Sequence, residues 1–162
     1  MANESLATYL NAHLAGSVVA LELLKHLEAE RAGTAEEPIL GKLRADIVAD
    51  RQELEELMAQ LRIAVSGPLQ ATAWLAEKLS ELKLRLDDPG RGALLRLEAL
   101  EAVSLGIAGK QALWHTLAAA AADAPELGGL DYAHLVRRAA EQHDVVETLR
   151  LHAAKEALGT RS

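Results

Sequence analysis

The residues best suited to chemistry in this chain are one histidine, three carboxylates and one amide: His13, Asp50, Glu98, Glu101 and Gln142. Imidazole nitrogen and carboxylate oxygen are donors that Fe, Mn and Zn accept. At roughly 100° per residue, His13, Asp50 and Gln142 fall on the apolar stripes of three predicted helices. Glu101 falls on an apolar face of a fourth helix, with Glu98 beside it. The set predicts either a metal or small-ligand site, or a buried polar layer that fixes helix register.

The depth of these residues along the predicted bundle favours the structural layer. By the helical rise, His13 and Glu101 are separated by roughly 15 Å along the axis, which one metal ion does not bridge. We therefore expect two pairs, His13 with Gln142 and Asp50 with Glu101. No catalytic residue, cofactor or metal ligand is expected as the first interpretation, and the alternative is Fe or Mn held by the five residues.

Composition predicts an all-α fold. The chain has 162 residues, of which 32 are Ala and 31 are Leu, with no Phe, two Trp and two Tyr. Such a composition favours helices and excludes a sheet-dominated fold. The net charge of −7 argues against nucleic acid and anionic membranes as partners. The chain has no Cys, which excludes disulfides and thiolate chemistry.

Four prolines, each near a glycine, divide the chain into predicted helices. The prolines are Pro38, Pro68, Pro89 and Pro125. Asp131 is the expected N-cap of the last helix. All of the predicted helices are assigned to a single domain, 1–162. The long helices are predicted over about 3–31, 38–65, 91–122 and 130–158, and a shorter connecting helix over about 68–86.

These helices predict an antiparallel four-helix bundle with one crossover. A helix of about 18 residues covers about 27 Å, so the segment 68–86 is long enough to carry the chain from one end of the bundle to the other. The helix over 91–122 has two apolar faces. One contains Leu94 and Leu105, and we expect it to face the bundle. The other contains Trp114, and we expect the connecting helix to pack on it.

One crossover in a four-helix bundle resembles the ferritin-like superfamily, over residues 3–158. Several local strings are similar to a group of bacterial proteins to which no activity is assigned. The strings are HLAGS at 13–17, AW with EKL and LKL within 73–84, LEALE at 97–101 and GIAGKQALW at 106–114. The resemblance implies a ferritin-like fold and no particular reaction.

The di-iron site of ferritin-like proteins uses a Glu-x-x-His motif on each of two helices. This sequence has no such motif. By the resemblance, Asp50 stands where the first motif has its His, with Ile47 in place of Glu. His143 matches the second His, with Ala140 in place of Glu. Both motifs are therefore incomplete.

The sequence leaves three functions open. The first is a non-catalytic, cytoplasmic bundle that acts through association as a homodimer, because its apolar faces exceed one core. The alternative is a divergent Fe- or Mn-dependent oxidoreductase or metal-handling protein. The third is a bundle that binds a small apolar ligand beside the connecting helix. Lys110, near Trp114, suits either an anion or simple packing of its stem against the indole.

Overall fold

The computed structural model describes residues 4–66, 77, 80–81 and 92–159. This part of the chain forms four long helices and no strand, so the all-α prediction is confirmed. None of these helices is long and apolar enough to span a membrane. The connecting helix expected at 68–86 lies outside the described residues, apart from 77, 80 and 81. The four helices are α1 (Glu4–Glu30), α2 (Glu37–Gln60), α3 (Gly92–Ala120) and α4 (Tyr132–Leu158), with a 3-10 turn at Pro125–Leu127 before α4.

Proline and aspartate mark the helix starts as the sequence predicts. Pro38 lies in the first turn of α2, where its missing N–H leaves no helical hydrogen bond unmade. Asp131 caps α4, because its Oδ1 accepts a hydrogen bond of 3.0 Å from the backbone N–H of His134. Local chemistry therefore fixes where these two helices begin.

The predicted end of α2 at residue 65 is wrong, since the helix ends at Gln60. Arg62 adopts a left-handed conformation with φ of 56°. The backbone N–H of Arg62 then donates to Ala59 and that of Ile63 to Met58, at 3.0 and 2.8 Å. This is the Schellman pattern of helix termination, which usually contains Gly at the position that Arg62 occupies.

Leucine-rich stripes from all four helices form one hydrophobic core. The most extensive packing joins α3 to α4, followed by α1 to α2 and α1 to α3. The largest fully buried side chains are Trp114, Leu10, Leu24, Leu27, Leu40, Leu57, Met58, Ile107, Leu113, Leu117, Val103 and Val146.

The two apolar faces of α3 are oriented opposite to our expectation. Trp114 is 1% exposed and belongs to the main core, whereas Leu105 is 75% exposed and Leu94 is 41% exposed. The Trp114 face contains the larger apolar surface, with Leu100, Val103 and Ile107, and its burial is therefore the more favourable. The face shared by Leu94, Leu105, Ala108 and Ala112 is exposed.

Candidate functional site

A buried carboxylate on α2, that of Asp50, is the centre of the candidate site. Asp50 is 1% exposed, as its position on the apolar stripe predicts. Its Oδ1 accepts from Arg138 through Nε at 2.6 Å and also through Nη2. Its Oδ2 accepts from Gln142 Nε2 at 2.8 Å and from Lys110 Nζ. Both carboxylate oxygens are therefore fully engaged.

Lys110 connects the members of this cluster, which we call the Asp50 network. Its ammonium donates to Asp50 Oδ2 and to Gln142 Oε1. Burial lowers the pKa of Lys110, and the charge of Asp50 acts in the opposite direction. The network joins α2, α3 and α4 through side chains alone, and it leaves none of its buried polar groups without a partner.

The donor set of the Asp50 network does not fit the Fe or Mn centre that a ferritin-like fold implies. Such a centre needs several carboxylates and imidazoles converging on one point. Here one carboxylate is surrounded by Lys110, Arg138 and an amide, and two cations repel a divalent ion. Within the described ranges, no group of three or more His, Cys, Asp or Glu side chains is placed to hold a metal ion.

Glu101 and Glu98 do not reach the core, so their expected inward orientation is wrong. The Glu101 side chain is 50% exposed and lies 3.6 Å from Arg150 Nη1, measured from Oε1. Glu98 is half-buried on α3. Both lie on the face of Leu94 and Leu105, which α3 turns away from the bundle. The expected pair of Asp50 with Glu101 is therefore replaced by Asp50 with Lys110, Arg138 and Gln142.

His13 lies near the Asp50 network without bonding to it. Its ring packs edge-on against Tyr9, with the centroids 4.7 Å apart. Burial lowers the pKa of His13. The expected pair of His13 with Gln142 does not form, because Gln142 bonds Asp50 and Lys110. His13, Asp50 and Lys110 instead line one cavity between α1, α2 and α3.

A second polar cluster joins α3 to α4. The Ser104 hydroxyl donates to Glu147 Oε1 at 2.8 Å and lies 3.2 Å from His143 Nε2. Arg150 holds the same carboxylate through Nε and Nη2, at 2.9 and 2.7 Å. The bonds from Arg150 and Ser104 lower the pKa of Glu147 to about 2. His143, which the ferritin-like resemblance aligned with the second motif's histidine, is therefore a member of a hydrogen-bonded cluster.

Sequence reasoning identified the acceptor of the Asp50 network and missed its two cations. Lys110 was considered only for an anion or for packing against Trp114, and Arg138 was not singled out, because Lys and Arg are rarely buried unless they are paired. The signal for Lys110 is its spacing, three residues after Ile107 and four before Trp114, on the large apolar face of α3. Arg138 lies four residues before Gln142, on the same side of α4.

Comparison with known proteins gives no relative for this chain. No protein-family model, no curated protein and no solved structure matches it. The geometry of the Asp50 network and of the surfaces around it is therefore the basis for a functional proposal.

Proposed function

We propose that this chain is a non-catalytic, ferritin-like helical bundle that acts by associating with a second copy of itself. The exposed apolar face of α3 is the observation that carries the proposal. Leu105 is 75% exposed and Leu94 is 41% exposed, and Ala108 and Ala112 are exposed on the same side. Exposed apolar side chains grouped on one helix face are typical of protein–protein interfaces, and Glu101 on the same face is paired with Arg150. Burying this face against its copy would remove it from water.

The pairing of side chains supports the antiparallel arrangement that the ferritin-like assignment requires. Between α1 and α2, Glu28 contacts Arg44 and Ser17 contacts Arg51. The residue number on α2 therefore rises as the residue number on α1 falls, as in an antiparallel pair of helices. Between α3 and α4 the same trend is present, with Arg96 beside Glu156, Glu101 beside Arg150 and Lys110 beside Gln142.

The contacts of α1 with α3 and of α2 with α4 extend this trend to the other two adjacent pairs. Glu30 lies beside Arg96 and Ala20 lies near Gly106. Glu36 lies beside His152, and Asp50 beside Arg138. Because α1 and α2 each run antiparallel to both of their neighbours, α2 ends and α3 begins at opposite ends of the bundle, which is the arrangement of a one-crossover bundle.

The Asp50 network supports the non-catalytic part of the proposal. An acid, base or metal ligand needs a free lone pair or a movable proton. Both Asp50 oxygens already accept hydrogen bonds from Lys110, Arg138 and Gln142. The most buried polar group of the described chain is therefore committed to holding helices together.

Leu105→Glu tests the association directly. We expect the wild-type chain to be a dimer at micromolar concentration and the variant to be a monomer, because a charge at the centre of an apolar interface is desolvated without a partner. Sedimentation velocity with light scattering measures both masses.

Leu151→Glu is the matched control. Leu151 is 53% exposed on α4, so the same substitution there adds the same charge to a different helix. It should leave the dimer intact. A wild-type monomer at these concentrations, or equal dissociation in both variants, would contradict association through α3.

A further inference from the structure

One cavity of about 280 Å³ lies between α1, α2 and α3. Apolar cavities of about 150 Å³ bind benzene, so this one has room for an apolar body about twice that size. Gly16 and Gly109 lie in its wall, and a Cβ at either position would meet nothing within 4 Å. Most of the wall is apolar, formed by Ala12, Ala20, Ile47, Leu54, Ile107, Leu113 and Trp114 together with glycines.

Trp114, one of the residues that line this cavity, has an unused hydrogen-bond donor. The residue is 1% exposed, and its indole Nε1–H has no acceptor among the described residues. A buried donor left without a partner destabilises the fold. A ligand that supplied an acceptor would remove that cost.

Lys110 also lines the cavity, one helical turn before Trp114. Its ammonium has three N–H groups, of which Asp50 and Gln142 take two. The Asp50 carboxylate is shared by Lys110 and Arg138, so two cations contact one negative charge, and the nearby Asp46 carboxylate is paired with Lys42. The other polar side chains of the wall are His13, Ser17 and Arg51, and Arg51 is paired with Glu55 and Ser17. The polar part of the wall therefore offers donors and excess positive charge, and the acceptors of Asp50 are already used.

We propose that the cavity binds a small monocarboxylic acid with an apolar body. The carboxylate accepts from Trp114 and Lys110, and its charge balances the second cation of the Asp50 network. The body contacts the aliphatic wall that includes Ile47, Leu54 and Leu113. This binding is separate from association through α3, so either can fail without the other.

Calorimetric titration with octanoate and with octanol tests the proposal, because the two probes share a chain and differ in the head group. We expect octanoate to bind at least tenfold more tightly than octanol. The indole N–H resonance of Trp114, assigned with the Trp74→Phe variant, should shift when octanoate binds and stay in place with octanol.

Two variants locate the site, and a third is their control. Gly109→Leu should fill the cavity and lower octanoate affinity by at least tenfold, whereas Gly92→Leu, at an open position outside the cavity, should not change it. Trp114→Phe should lower affinity about tenfold, because it removes the N–H and keeps a ring. Light scattering checks that the association state is the same in each variant.

Several results would overturn the proposal. They are the absence of octanoate binding to the wild-type chain at millimolar concentration, equal affinity for octanol, an unmoved Trp114 resonance, and undiminished binding by Gly109→Leu. The last variant decides the matter even if Trp114→Phe is too unstable to study.

Discussion

At the residue scale, the Asp50 network is asymmetric. If Lys110 is lost, Asp50 still accepts hydrogen bonds from Arg138 and Gln142. If Asp50 is lost, Lys110 and Arg138 lose the carboxylate that lies between them. Asp50→Asn should therefore lower the free energy of unfolding by about 3 kcal/mol, because it leaves buried charge uncompensated. Lys110→Met should lower it by less than about 1 kcal/mol, since it removes a desolvated charge and keeps the stem. Urea unfolding followed by circular dichroism measures both.

Asp144→Asn is the control for this comparison, because Asp144 is exposed on α4. It should change the free energy of unfolding by no more than about 0.5 kcal/mol. Equal losses from Asp50→Asn and Lys110→Met would show that the ion pair, and not the buried carboxylate, dominates the network.

The inward side chains of α2 and α4 could be predicted from sequence, and those of α3 could not. Asp50 and Gln142 each lie on the single apolar stripe of an amphipathic helix, so direction follows from periodicity. Helix α3 has two apolar faces, and periodicity does not say which one the bundle covers. The choice of the Leu105 face predicted that Glu101 points inward, and burial of the larger Trp114 face reverses that prediction. The same choice left Lys110 out of the predicted polar set.

At the element scale, the end of α2 contains a local strain that a substitution can relieve. Arg62 has a φ of 56°, a conformation that Gly adopts without a steric penalty. Arg62→Gly should therefore raise the free energy of unfolding by about 1 kcal/mol, because residues with a Cβ pay roughly that amount in the left-handed region. Thermal unfolding with a matched denaturant series measures the change.

Arg137→Gly should have the opposite sign. Arg137 is exposed inside α4, where Gly costs about 1 kcal/mol relative to a good helix former. A loss of stability in both variants would mean that the Arg62 side chain stabilises the turn by more than its backbone strain costs. Because Gly is absent from position 62, the sequence offered no stop signal there, and the helix was predicted to continue to 65.

At the scale of the whole molecule, composition was enough to predict four long helices but not how their faces meet. Ala and Leu favour helices by local propensity, and proline positions divide them, so both are readable along the chain. Which helices become neighbours depends on contacts between residues distant in sequence, such as Ala20 with Gly106. Those contacts depend on how small residues of α1 and α3 fit against each other. No local sequence pattern encodes that fit.

The contact between α1 and α3 can be tested with a disulfide, because the chain contains no other Cys. A Cβ at Gly106 would lie 4.0 Å from that of Ala20, within the range that a disulfide spans. Ala20→Cys with Gly106→Cys should therefore oxidise readily and raise the free energy of unfolding by about 4 kcal/mol, as expected for a loop of roughly ninety residues. Ala20→Cys with Gly109→Cys is the control, since a Cβ at Gly109 meets nothing within 4 Å. Failure of the first pair to form, or equal oxidation of both pairs, would contradict the packing of α1 on α3 and with it the proposed one-crossover arrangement.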